Sequence, residues 1–184
     1  MNPFVLVPVA DGSEEIETVT VVDVLRRAEC NVVLASVSAS KTVTMSRKTV
    51  LVADSLIKDC LDKEWDCIVL PGGMPGAENL QNSLELKKLL TRQVEQKKFF
   101  AAICAAPAVV LDYYGFLKNR KATCYPSFSF KDANRVDENV VVDENCITSK
   151  SPATAMEFAL TISKLLTGEE KTKKIAQAML FNLP

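Results

Sequence analysis

Along most of this chain, apolar runs of strand length alternate with segments of helical period, and few architectures accept that alternation. Residues 4–10 read as a first strand, and 14–28 as a helix whose inward stripe includes Ile16, Val19, Val22 and Leu25. Asn31 to Val37 reads as a second strand, and Lys41 to Ser46 with Thr49 to Ala53 as a short hairpin-like excursion. Asp66 to Leu70 is a buried strand that stops at Pro71-Gly72-Gly73. Ser83 to Lys97 carries Leu84, Leu86, Leu89 and Leu90 among strong helix formers, ahead of a strand over 99–103 and a helix after Cys104. Ala122 to Tyr125, Val140 to Val142 and Cys146 to Thr148 are later strand pieces. A helix over about Pro152 to Leu166 and an amphipathic segment over about Glu169 to Phe181 close the pattern. Parallel strands need crossover connections, so the alternation predicts an α/β fold, a mostly parallel sheet with helices on both faces. With 184 residues and no repeat, low-complexity tract or linker, a single domain over 1–184 is expected.

In such sheets ligands bind outside the carboxyl ends of the strands, and three conspicuous turns fall there: Asp11 to Glu17, Pro71 to Gly76, and Cys104. Cys104 lies in Phe99-Phe100-Ala101-Ala102-Ile103-Cys104-Ala105-Ala106-Pro107-Ala108, where a strand-like stretch becomes a small-residue, helix-like one. That is the sequence of a nucleophile elbow. Backbone N–H groups at a helix N-terminus stabilise an anion, and the thiolate is the nucleophilic form of cysteine. Acidic residues near a helix start complement its dipole, a reading that suffices for Glu14 and Glu15. Glu17, one turn further in, can point back across the sheet edge and share or relay a proton with the thiol. The glycines of Pro71-Gly72-Gly73-Met74-Pro75-Gly76 permit a tight turn, and their bare N–H groups can cradle an oxyanion. The spacing is not that of a dinucleotide fingerprint, and the lysine of a phosphate loop is missing.

Cys30, Cys60, Cys67, Cys124 and Cys146 read as small buried hydrophobes, and no pair of the six cysteines has C-x-x-C spacing. No metal site or organic cofactor is expected. The sequence contains no histidine, which rules out a Ser-His-Asp triad, a Cys-His dyad and a His-containing zinc site built from this chain. A reactive Cys104 must therefore pass its proton to Glu17, another carboxylate or water.

A net charge of −1 argues against a nucleic-acid partner, because a basic face is the usual requirement. The clusters Lys118 to Lys121 and Lys171 to Lys174 read as solvated faces. Phe99 to Leu111, the longest apolar stretch, contains Pro107 and falls short of the roughly 20 residues that span a bilayer. No membrane association is expected. The first ten residues lack a basic region before their apolar run, and the unpaired cysteines suit a reducing compartment, so a cytoplasmic location is expected.

Three separated segments, Gly12-Ser13-Glu14-Glu15-Ile16-Glu17, Leu70-Pro71-Gly72-Gly73 with Gly76-Ala77, and Ala101-Ala102-Ile103-Cys104-Ala105-Ala106-Pro107, are together similar to the DJ-1/ThiJ/PfpI superfamily. Val22-Asp23-Val24-Leu25-Arg26-Arg27, Ser46-Arg47 and Thr148-Ser149-Lys150-Ser151-Pro152-Ala153-Thr154 extend the resemblance across nearly the full length. It points to the branch that holds the parkinsonism-associated members and their bacterial relatives. The resemblance implies a flavodoxin-like sandwich, usually a homodimer, with Cys104 as reactive thiol and Glu17 as the protonated carboxyl beside it. It also implies an oxyanion pocket lined by the N–H groups of Gly73 and Ala105, with Gly72 and Tyr125 nearby.

Activities implied by the resemblance are glutathione-independent glyoxalase (glyoxalase III), deglycase repair of methylglyoxal-modified molecules, and oxidative-stress sensing or chaperone action. Two departures stand out. Thr123-Cys124-Tyr125-Pro126 offers Tyr125 where some members carry a histidine, and Lys150-Ser151 stands where some have Arg-Gly. Cys124 is a candidate resolving thiol for oxidised Cys104. The expected chemistry is addition of the Cys104 thiolate to a 2-oxoaldehyde such as methylglyoxal; the alternative is oxidation of Cys104 to sulfinic acid as a redox signal.

Overall fold

In a computed structural model that describes residues 2–182, the predicted alternation becomes a seven-stranded sheet between two helical layers. In chain order the elements are β1 (Phe4–Val9), α1 (Glu15–Arg27), β2 (Asn31–Ser36), β3 (Thr42–Thr44), β4 (Val50–Val52), β5 (Ser55–Leu56) and β6 (Cys67–Leu70). There follow α2 (Gly76–Gln81), α3 (Leu84–Glu95), β7 (Phe99–Ile103), a π-helical turn over Pro107–Asp112, β8 (Lys121–Ala122) and β9 (Asn134–Arg135). The chain then runs through β10 (Val140–Asp143), β11 (Cys146–Ser149), α4 (Ala155–Thr167) and α5 (Glu169–Ala178). The sheet order is β10-β11-β7-β6-β1-β2-β5. Only β10 is antiparallel to its neighbour.

Side chains of β1 leave alternately on the two faces, and the core divides accordingly. Val5, Val7 and Val9 pack with Val21, Val24 and Leu25 of α1 and with Phe158, Ala159 and Ile162 of α4. Leu6 packs on the opposite face with Trp65, Ile68, Leu70, the α3 leucines Leu86, Leu89 and Leu90, and Val110 of the π-helical turn. Central strands buried on both faces account for the unbroken apolar runs. The Ser83 hydroxyl caps α3 by accepting the Leu86 N–H at 3.2 Å, so the helix starts where its leucine stripe does.

Several sequence expectations change here. The buried face of α1 is Glu17, Thr18, Val21, Val24 and Leu25; Ile16 and Val19 are 56% and 48% exposed. The helix rotates to bury a carboxyl. The segment after Cys104 winds as a π-helical turn rather than an α-helix, and Ala122 to Tyr125 contributes only Lys121–Ala122, paired with Asn134–Arg135 outside the main sheet. The short strand β5 and helix α2 had no sequence forecast, since two and six residues fall below a readable period. Among the described residues, no helix is long and apolar enough to cross a membrane.

Candidate active site at the strand carboxyl ends

The elbow after β7 puts Cys104 at φ +64°, a left-handed conformation that costs a non-glycine residue about 1–3 kcal/mol. Neighbouring chain holds it there. The Cys104 N–H donates to the Ser149 carbonyl at 2.9 Å, and the Cys104 carbonyl accepts the Tyr125 N–H at 2.8 Å. Gly72 approaches from β6 so closely that a Cβ there would lie 2.8 Å from the Cys104 Cβ and 2.9 Å from the Ala105 nitrogen. Gly73, at φ +84°, would meet the Glu14 nitrogen at 2.5 Å. These two glycines let β6 and the start of α1 close around the thiol.

Glu17 is fully buried. Its Oε2 accepts the Gly72 N–H at 2.7 Å, while Oε1 has no hydrogen-bond partner among the described residues. Burial pushes the carboxyl up to about 7; the Gly72 N–H and the neighbouring Cys104 thiol pull it down, and negative charge on Glu14 pushes it up again. Cys104 is also pushed up, to about 12, first by burial and then by the charge and hydrogen bond of Glu17. The Gly73 and Ala105 N–H groups act against this and favour its anion. Carboxyl and thiol repel each other as anions, so the pair readily carries one negative charge and resists two.

A cavity of about 470 Å³ opens above the sulfur, with Gly73, Ala105, Tyr125, Phe128, Arg47 and Glu14 in its wall. Of the site residues named from sequence, Cys104, Gly73, Ala105 and Tyr125 line this cavity. Glu17 reaches the thiol from beneath. Gly72 does not line the cavity; it packs against the Cys104 Cβ and gives its N–H to Glu17. Lys150 pairs with Asp137 at 2.6 Å. Cys124 is buried, its sulfur 3.6 Å from the Phe128 carbonyl.

Glu14 escaped the sequence reading as a site residue. It is only 7% exposed, sits at the N-cap of α1 without capping it, and lines the cavity. Glutamate at a position that favours Ser, Thr, Asp or Asn was the available signal. The Ser46 hydroxyl lies 2.6 Å from Glu14 Oε2 and 2.8 Å from Glu15 Oε2, and the Arg47 N–H donates to Glu15 at 2.9 Å. Burial opposes ionisation of Glu15, but its own N–H, Ser46, the Arg47 N–H and Thr49 outweigh it and hold the carboxyl down to about 2. A larger hollow of about 650 Å³ near Arg27, Lys171 and Lys174 has no cysteine in its wall.

Comparison with known proteins groups the chain. It is 46% identical to Protein DJ-1 homolog B of Arabidopsis thaliana over 181 residues, which is 97% of this chain and 41% of that protein. This chain therefore spans less than half the length of that relative. It is 36% identical to glutathione-independent glyoxalase DJR-1.2 of Caenorhabditis elegans, covering 97% of this chain and 95% of that one. The oxidized DJ-1 of Toxoplasma gondii superposes with a TM-score of 0.95 at 45% identity, over 97% of this chain and 98% of that one. A DJ-1/PfpI family profile matches residues 4–165. On that match, and on the full-length likeness in fold, the chain belongs to the DJ-1/PfpI family.

Proposed function

We propose that this protein is a cofactor-independent glyoxalase acting on small 2-oxoaldehydes such as methylglyoxal. The observation that carries the reading is a half-exposed thiol between a buried carboxyl and two N–H donors, at the floor of a cavity. Similarity to a protein named a glutathione-independent glyoxalase supports it.

The reactive form keeps the shared proton on Glu17 and the charge on sulfur, towards which the Gly73 and Ala105 N–H groups point. The Cys104 thiolate adds to the aldehyde carbon, and Glu17 protonates the resulting oxyanion to give a hemithioacetal. Glu17, now a carboxylate, removes the proton from that carbon and returns it to the neighbouring one through an enediolate, while the hydroxyl proton of the first carbon passes to the oxygen of the second, leaving a 2-hydroxyacyl thioester on Cys104. Water, deprotonated by Glu17, cleaves the thioester and releases the 2-hydroxy acid and the thiolate. Atoms balance with water as the only co-reactant. Displacement of the amine or thiol from its methylglyoxal adduct by the Cys104 thiolate, with Glu17 protonating the departing group, would give the same hemithioacetal and hence deglycase activity. Lactate formation from methylglyoxal tests the reading: wild type should form it, while Cys104→Ala and Glu17→Gln should lose at least about 100-fold in turnover. Equal turnover by Cys104→Ala would remove it.

A redox-sensing reading has its own support, because Cys104 is half-buried whereas Cys30, Cys60, Cys67, Cys124 and Cys146 are buried. A sulfinate on Cys104 would meet the same N–H groups and the Glu17 proton. Peroxide titration with peptide mass spectrometry should then oxidise Cys104 first; uniform oxidation of all six thiols would contradict it.

A further inference from the structure

Three residues of the cavity wall, Tyr125, Ser127 and Phe128, lie on one short turn. The Phe128 N–H donates to the Tyr125 carbonyl at 3.0 Å, which closes a β-turn with Pro126 where its fixed φ suits. No strand carries this turn: β8 ends at Ala122, and β9 begins at Asn134. At its start the Tyr125 N–H donates to the Cys104 carbonyl at 2.8 Å. Further along, the buried carboxylate of Asp112 accepts the N–H groups of Lys131 and Asp132. Between those two anchors the hold on the backbone comes from Arg135.

Arg135 reaches back from β9 with two arms of its guanidinium. One nitrogen donates to the Phe128 carbonyl at 2.6 Å and the other to the Cys124 carbonyl at 3.2 Å, so the fork spans the turn. Its own backbone is fixed, because Arg135 pairs with Ala122 across β8 and β9, and the Val136 N–H donates to the Ala122 carbonyl at 2.9 Å. Asp137, two residues along, is paired with Lys150 at 2.6 Å, which leaves both guanidinium nitrogens to the carbonyls. Burial pushes the Cys124 thiol up and the Arg135 charge acts against it, so the guanidinium also lies beside that sulfur. Charged donors make stronger hydrogen bonds than neutral ones, and a planar fork serves two acceptors at once. The Cys124 thiol, 3.6 Å from the Phe128 carbonyl, is a weak donor by comparison.

We propose that Arg135 is a positioning residue of the Cys104 pocket, a clamp across the Tyr125–Phe128 turn that fixes the wall against which a dicarbonyl binds. The inference rests on the glyoxalase reading. Arg135 does not line the cavity; it acts through the carbonyls of the turn. The thiol, Glu17 and the two N–H donors stand on α1 and on the segments that follow β6 and β7. Loosening the turn therefore weakens substrate binding and leaves the proton transfers in place. Because Arg135 is exposed, its truncation opens no hole in the core.

Arg135→Lys keeps the charge and loses the fork, whereas Arg135→Ala removes both. Each should raise KM for methylglyoxal about 10-fold, with kcat within about threefold of wild type. Amide hydrogen exchange, measured without substrate, should quicken about 10-fold at Tyr125 and Phe128 while β1 exchanges at the wild-type rate. Methylguanidinium at a non-denaturing concentration should slow that exchange in Arg135→Ala back towards wild type, a rescue that general destabilisation would not show. Wild-type KM and exchange in both variants would overturn the proposal, as would a fall in kcat at unchanged KM, or exchange that rises equally in β1. Wild type that formed no lactate would instead remove the glyoxalase reading, and the exchange rates and their rescue would still decide whether the clamp exists.

Discussion

At the scale of single residues, Glu17 couples chemistry to stability. Its carboxyl ionises near 4.5 in an unfolded chain and near 7 when buried here, so between those values the folded state binds the extra proton. Stability from this group is present below about pH 4.5 and is lost as pH rises through 7, by up to about 3 kcal/mol. Glu17→Gln stays neutral throughout. Its unfolding free energy relative to wild type should therefore move in its favour by that amount between pH 4.5 and about pH 8, read by urea denaturation; a constant difference would mean that Glu17 is not buried as an acid. Cys104 and Glu17 were legible from sequence because a strand-to-helix joint and a carboxylate one turn into a helix are positional signals. Glu14 was not, since a helix-dipole role accounts for an acidic residue at that position until its burial and its contact with Ser46 are known.

At the scale of elements, the site depends on how closely β6, β7 and the start of α1 approach. Gly72→Ala would place a methyl group 2.8 Å from the Cys104 Cβ and from the Ile103 carbonyl, both on the strained elbow. It should cost about 3 kcal/mol in thermal or denaturant unfolding and slow alkylation of Cys104; a neutral result would mean that the elbow has slack. Tight turns with glycine were readable, but the partner of each close approach was not, because it comes from a distant segment. Helix α1 shows the converse. Its sequence carries apolar residues nearly all round, so periodicity chose Ile16 and Val19 for the core, whereas the fold buries the polar Glu17 and Thr18 at the sheet edge.

For the whole molecule, the alternation of strands and helices was enough to forecast the layered parallel sheet, because crossover connections leave few other arrangements. It could not forecast what the sheet leaves uncovered. Ile16 and Val19 of α1 and Val50 and Val52 of β4 are exposed. The Gly12 N–H donates to the Thr44 carbonyl of β3 and the Ser46 N–H to the Ser13 carbonyl, both at 2.8 Å, so the β3–β4 hairpin is tied to the loop that precedes α1. We propose that the expected homodimer would form over these exposed apolar residues. Sedimentation should give a dimer, and Val52→Glu should weaken it at least about 100-fold by burying a charge without a partner. A monomeric wild type would contradict the assignment of this face.

The account rests above all on a covalent bond between Cys104 and the aldehyde carbon. Peptide mass spectrometry of protein quenched during methylglyoxal turnover reads that bond directly. The account predicts an adduct on the peptide containing Cys104, absent from Cys104→Ala and accumulating in Glu17→Gln, where addition proceeds and proton transfer stalls. Turnover with no adduct on Cys104, or an unchanged adduct pattern spread over lysines and arginines in Cys104→Ala, would contradict it.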